Sequence, residues 1–169
     1  MTRIQLGCGK SKREGWIGVD LADFEGVDVI HDLNVFPYPF EENSVDEILM
    51  ENILEHLPDT IAVMEELFRL CKNGGLVRIT VPYYNCPGAM ADPTHVRFFT
   101  ENSWDYFTPD GATPLSHYNY YSKARFNILS ITPMQKKPLD YLPRRAQWFL
   151  AHHFATVHGL NVVLEALKP

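Results

Sequence analysis

Residues 3–20 read RIQLGCGKSKREGWIGVD, and the fold is decided there. Arg3-Ile4-Gln5-Leu6 alternates polar and apolar and runs directly into Gly7-Cys8-Gly9; after a polar stretch, Trp16-Ile17-Gly18-Val19 is closed by the carboxylate of Asp20. This is the pattern of a strand, a glycine turn and a second strand. Glycines directly after a strand let the backbone turn sharply and approach a ligand closely, and amides exposed beyond them favour a negative group. A G-x-G alone fits an ordinary tight turn equally well. Asp20 adds context, because a carboxylate ending the second strand lies beside the turn and can accept hydrogen bonds from both hydroxyls of a ribose.

Working outward, Val27 to His31 is a third short apolar run, again ended by an acid, Asp32. Pro37-Tyr38-Pro39 interrupts regular structure, and Val45 to Met50 then fits either a strand or the start of a helical stripe through Ile53 and Leu57. Pro58-Asp59-Thr60 supplies helix-start signals, Ile61, Met64, Leu67, Phe68 and Cys71 fall on one helical face, and Asn73-Gly74-Gly75 offers a C-terminal cap. Leu76 to Val81 reads as a strand stopped by Pro82. Residues 82–121 hold five prolines and ten of the 21 aromatic residues with little periodicity, so they read as one large aromatic insert. Phe126 to Thr132 reads as a strand, Arg144 to Ala155 as a helix, and Leu160 to Leu167 as a closing strand. Strands alternating with helices and tight turns define an α/β sheet, parallel at least in its first half.

At 169 residues the chain accommodates one domain, residues 1–169. With 46% hydrophobic residues it can build a core, and its formal charge of −6 disfavours long nucleic acid as a partner. No stretch approaches the roughly 18 apolar residues of a membrane span, and the beginning lacks a signal-peptide pattern, so a cytoplasmic location with no membrane partner is expected. Cys8, Cys71 and Cys86 form no C-x-x-C spacing, and no metal site is expected.

Gly7 to Asp20 spans only thirteen positions, without the third glycine and full helix that a dinucleotide fold uses for a pyrophosphate. A mononucleoside with a small tail needs only the turn and the ribose carboxylate. Taken together, LGCGKSKREGWIGVDL (6–21), HDLN (31–34), SVDEILMENILEHL (44–57) and ELFRLCKNGGLVRITVP (66–82) resemble the class I S-adenosylmethionine-dependent methyltransferases, of the small type 11 kind. The resemblance implies a Rossmann-like three-layer sandwich with a seven-stranded, mostly parallel sheet and an antiparallel last strand, and it makes Val45 to Met50 a strand. It implies S-adenosylmethionine as cofactor, with Gly7, Cys8 and Gly9 along the methionine tail and Asp20 with Leu21 at the ribose. Asp32 and Leu33 would meet the adenine, and Glu51 or Asn52 the amino-acid tail. The chain departs from the family in starting at its first strand and in its short early crossovers, with only about seven residues between Asp20 and Asp28. A partner subunit, a second copy or the aromatic insert is the expected cover of the cofactor.

Methyl transfer from a sulfonium is an in-line displacement that needs alignment, exclusion of water and, for a hydroxyl or protonated amine, a base. The insert carries Asp92-Pro93-Thr94-His95-Val96-Arg97, placing His95 as candidate base, Asp92 as its orienting carboxylate and Arg97 as a ligand for an anionic substrate group. Hydrogen bonds that merely pin the loop explain His95 and Arg97 as readily. Tyr83, Tyr84 and His56 are further candidates for the acceptor pocket, packing and a helix-start hydrogen bond being their plainer explanations. His152-His153 and the basic pairs Lys136-Lys137 and Arg144-Arg145 read as structural or solvated. The expected activity is transfer of a methyl group to an oxygen or nitrogen of a small molecule or a sugar- or lipid-linked acceptor. An inactive cofactor-binding subunit and an RNA or protein methyltransferase are the alternatives.

Overall fold

In chain order the elements are β1 (Arg3–Leu6), β2 (Ile17–Asp20), β3 (Val29–Ile30), β4 (Val45–Glu51), α1 (Thr60–Leu70), β5 (Cys71–Pro82), α2 (Pro87–Ala91), β6 (Phe126–Gln135), α3 (Arg144–Phe154) and β7 (Val157–Ala166). Short 3-10 helices span Leu54–His56, Glu101–Phe107 and Ser116–Tyr121. This computed structural model describes residues 1–135 and 141–168, so the Lys136-Lys137 pair lies outside the described residues.

The strands form one seven-stranded sheet in the order β3-β2-β1-β4-β5-β7-β6. β1 to β5 pair in parallel, and β7 runs antiparallel to both β5 and β6, which bears out the expected mostly parallel sheet with a reversed last strand. The register puts Ile4, Ile48, Val77 and Leu164 in one row and Leu6, Met50, Ile79 and Val162 in the next. All are buried, and they form the core with Val63, Met64, Leu67 and Leu70 of α1.

The opposite face is polar. Glu47 joins Arg3 at 3.3 Å and Arg78 at 2.6 Å, and Thr80 donates to Asn161 at 2.9 Å. Over β1 this face is covered by segment 7–16, which the buried Gln5 pins by accepting from the Arg13 amide at 2.8 Å. The connections β1–β2, β2–β3 and β3–β4 contain no helix, so the expected third layer is here made of loops. A short crossover is tolerated because β3 pairs with β2 through only Val19↔Val29 and Asp20↔Ile30.

The α1 stripe differs in detail from the sequence reading. Asp59 caps the helix by accepting from the Ala62 amide at 2.9 Å, but the helix stops at Leu70 and Cys71 is already extended. Asn73-Gly74-Gly75 is consequently not a helix cap. It is an irregularity in β5, where the register against β4 jumps from Val45↔Cys71 to Glu47↔Leu76 and Gly74 takes φ +77°. The aromatic insert is no bare loop either: Phe99, Trp104 and Phe107 are buried in the core cluster, with Phe99 and Trp104 stacked at 5.5 Å.

Candidate active site

In a parallel sheet, ligand-binding loops gather beyond the carboxyl ends of the strands. Gly7 to Gly9 leave β1 there with φ +66° and +51°, both in the left-handed region that favours glycine. Their roles differ. A Cβ on Gly7 would come within 2.5 Å of Ile53 Cγ1, so this glycine is needed to pack the turn against the segment after β4. A Cβ on Gly9 would meet nothing within 4 Å, so this glycine borders open space. Asp20, half-buried, closes the turn: its Oδ2 accepts from the Gly9 amide at 2.7 Å and its Oδ1 from the Ala22 amide at 3.1 Å. Each carboxylate oxygen has about two acceptor sites, so one on each remains for further donors. The turn thus offers free acceptor sites on one side and clear backbone on the other. Cys8 is buried beneath them, and burial first, then the Asp20 charge, pushes its thiol up from the ordinary range.

The adenine-side candidates divide. Asp32 stays near the surface and accepts from the amide and side chain of Asn34, both at 2.9 Å, which holds its carboxyl below the usual range. Leu33, by contrast, is a core residue whose carbonyl accepts from the Tyr38 hydroxyl, so its side chain is not free to face a ligand. Leu21 and Ile30, 68% and 59% exposed, are the apolar surfaces next to Asp20. Glu51 is ion-paired with Arg13 at 2.8 Å, and Asn52 holds a positive φ of 52° while its amide donates to Thr80.

The insert meets this site through the 3-10 helix Leu54–His56. The Glu55 carbonyl accepts from the amides of Val96 and Arg97 at 2.9 and 3.1 Å. As a result Glu55, His56 and His95 converge, with the His56 and His95 rings edge-on at 4.7 Å. His95 Nδ1 bonds the Ala89 carbonyl at 3.0 Å, and its Nε2 lies 3.9 Å from both Glu55 and Asp92. Asp92 is held below the usual carboxylate range by hydrogen bonds from Thr94. Ile53, which touches Gly7, precedes Glu55 by two residues, so the glycine turn and this cluster are neighbours.

Several sequence candidates land elsewhere. Tyr83 is fully buried and donates to Glu101 at 3.0 Å beside His152, so it braces the insert against α3 and does not line an open pocket. Tyr84 is half-buried against it. Arg97 clamps the Pro58 carbonyl through Nε and Nη2, the loop-pinning explanation. His56 makes no helix-start bond and instead meets the Thr94 hydroxyl at 2.9 Å. Arg144 donates to the Ile131 carbonyl, and His153 bonds Phe149 within its helix. Sequence reasoning missed Glu55 and Thr94. The adjacent acid and histidine of Glu55-His56, just past the carboxyl end of β4, were the available signal. A cavity of about 890 Å³ lies elsewhere, lined by Glu42, Phe68, Arg69 and Lys168.

This strand order, with the glycine turn after β1, is the fold of the class I S-adenosylmethionine-dependent methyltransferases. Residues 13–79 match the family model described as a methyltransferase domain. Among solved structures, an S-adenosylmethionine-dependent methyltransferase from Archaeoglobus fulgidus superimposes with TM-score 0.66 at 16% identity, covering 97% of this chain and 86% of that one. The chain in complex with the Haloferax volcanii Trm112 methyltransferase activator gives TM-score 0.64 at 14% identity, over 99% and 83% of the two chains. The demethylmenaquinone methyltransferase of Listeria welshimeri is 37% identical over 68 residues, 40% of this chain, which spans only 28% of that protein.

Proposed function

We propose that the chain transfers a methyl group from S-adenosylmethionine to an oxygen or nitrogen of a small molecule or of a sugar- or lipid-linked acceptor. The observation that carries the reading is Asp20, locked onto the Gly9 amide at 2.7 Å with acceptor capacity to spare beside open backbone. Asp20 takes the ribose hydroxyls, Gly9 lets the amino-acid tail pass, and Asp32 with the exposed Leu21 and Ile30 meets the adenine. Glu51, held by Arg13, is the candidate partner for the tail's ammonium. S-adenosylmethionine supplies a methyl already activated on sulfur, so no covalent intermediate with the protein is needed.

The chain's own task is alignment and proton removal. His95 Nε2 is the proton acceptor, its ring fixed through Nδ1, and Glu55 and Asp92 stabilise the cation that forms. The insert, residues 82–121, covers the acceptor. Exposed Leu21, Ile30 and Val35 beside the cofactor site support a partner subunit or second copy as further cover. The net charge of −6 supports a small acceptor over long nucleic acid, in a cytoplasmic setting; among the described residues no helix is long and apolar enough to cross a membrane. The family match ends before the insert, so it carries no information on the acceptor.

The test is incubation with methyl-labelled S-adenosylmethionine and fractionated small-molecule extracts. Wild type should label at least one fraction, and Asp20→Ala should not. His95→Ala should slow transfer by roughly 10²–10⁴ with cofactor affinity unchanged. Cofactor binding without transfer to any fraction would favour the inactive-subunit alternative, and an unaltered rate in His95→Ala would remove it as base.

A further inference from the structure

Glu55 is a buried carboxylate. It is 1% exposed, and among the described residues neither carboxylate oxygen has a hydrogen-bond partner. An isolated buried carboxylate is strongly disfavoured unless something compensates it. Its surroundings are oriented for that task. The Ala89 carbonyl can only accept, so His95 Nδ1 must carry the proton that bonds it, and the lone pair of the neutral ring is on Nε2, facing Glu55 and Asp92. The Thr94 hydroxyl spends its hydrogen on Asp92 at 2.6 Å, so its bond to His56 is received from Nδ1–H. His56 therefore also keeps its lone pair on Nε2. Two imidazoles tied at Nδ1 to a carbonyl and, through Thr94, to a carboxylate have the outer-shell arrangement typical of metal-binding histidines.

We propose that Glu55, His56 and His95 bind a divalent first-row transition ion, with Asp92 at the open side of the site. One ligand atom from each of the three lies within 4.8 Å of the others. Tetrahedral ligands about 2.0–2.2 Å from zinc stand about 3.4 Å from one another, so loading draws the side chains together by roughly an ångström. A neutral His pair and one carboxylate, without sulfur, suit Zn²⁺, Co²⁺ or Mn²⁺, and three protein ligands leave a position for water or substrate. The ion would give the buried Glu55 carboxylate the compensating charge that its surroundings otherwise lack. The site was invisible to spacing rules because Glu55-His56 and His95 are separated by 38 residues of helix, strand and loop. Resting on the methyl-transfer reading, one consequence follows: His95 Nε2 can hold the ion or accept a proton but not both, so the ion-free protein is the form in which His95 serves as base.

The experiment is calorimetric titration of chelator-treated full-length protein with Zn²⁺, and with Co²⁺ followed by visible absorption. S-adenosylhomocysteine is titrated into the same samples. Wild type should take one ion per chain. Glu55→Gln, His56→Ala and His95→Ala should each weaken it by on the order of 100-fold or more, and Thr94→Val by roughly 10–100-fold. His153→Ala, on the exposed side of α3, should bind as wild type. S-adenosylhomocysteine affinity should hold in all variants, which shows that they are folded and separates this claim from the cofactor claim. Absence of a stoichiometric site in wild type, or binding that survives both His56→Ala and His95→Ala, would overturn the proposal. Metal binding without any S-adenosylhomocysteine binding would leave the site standing and remove the methyltransferase reading.

Discussion

Gly7 and Gly9 share a motif and a left-handed backbone, yet replacing each with alanine should do different damage. In Gly7→Ala the new Cβ lands 2.5 Å from Ile53 Cγ1 and 2.7 Å from its Cδ1, far inside van der Waals contact. Left-handed backbone costs a non-glycine residue roughly 1–2 kcal/mol. Overpacking adds typically 1–3 kcal/mol, for a total of about 2–5 kcal/mol. Gly9→Ala bears only the backbone term, about 1–2 kcal/mol, because its Cβ enters open space. If that space belongs to the cofactor, Gly9→Ala should weaken S-adenosylmethionine by at least about tenfold, or 1.4 kcal/mol. Urea denaturation gives the first quantity and calorimetry the second. Ile53→Ala removes the clashing atoms, so in the Gly7→Ala background it should be less harmful than the sum of the single changes by about 0.5–3 kcal/mol. Equal stability losses at both glycines, with no coupling to Ile53, would refute this assignment of roles.

Asp28 accepts from the Gly18 amide at 2.7 Å and from Lys12 at 3.0 Å, which holds its carboxyl below the ordinary 3.8. A depressed carboxyl stabilises the fold above the unfolded-state value and loses that contribution as pH falls through the folded one. Asp28→Asn should therefore be less stable than wild type at neutral pH, and the gap measured by thermal unfolding should shrink as pH falls below about 4 and vanish beneath the depressed folded-state value; a gap that does not shrink over that range would contradict the linkage. Trp104 is 1% exposed and stacks on Phe99, so Trp104→Ala should cost about 3–5 kcal/mol in chemical denaturation. Trp104→Phe should cost much less, since among the described residues the indole N–H has no partner to lose; near-neutrality of the alanine variant would mean that the insert is a detachable lid. Tyr83→Phe removes the hydroxyl joined to Glu101 and His152 and should loosen the insert by roughly 1.5–3 kcal/mol, read as faster proteolysis within residues 82–121.

The sheet was legible where apolar runs met glycine or a carboxylate: β1, the turn and β2 came directly from residues 3–20. Val45 to Met50 was not, because its apolar positions satisfy both periods, and only the family resemblance made it a strand. The end of α1 was misplaced for a related reason. Cys71 continues the helical stripe in sequence, but pairing with Val45 pulls it into β5, and no local signal records that partner. At the site, the backbone determinants Gly7, Gly9 and Asp20 could be read because their chemistry is local. Leu33 could not, since its exposure depends on Tyr38 and the core beneath it. Glu55 escaped because its meaning comes from tertiary contacts with His95 and with Asp92 of the insert, which no spacing within the fourth-strand segment encodes.

One titration bears most directly on the whole account. S-adenosylhomocysteine is added to wild type and to Asp20→Ala in a calorimeter. Saturable one-to-one binding in the former, weakened by on the order of tenfold or more in the latter, is the predicted result. Identical affinities, or no heat in either protein, would contradict a nucleoside held by this carboxylate.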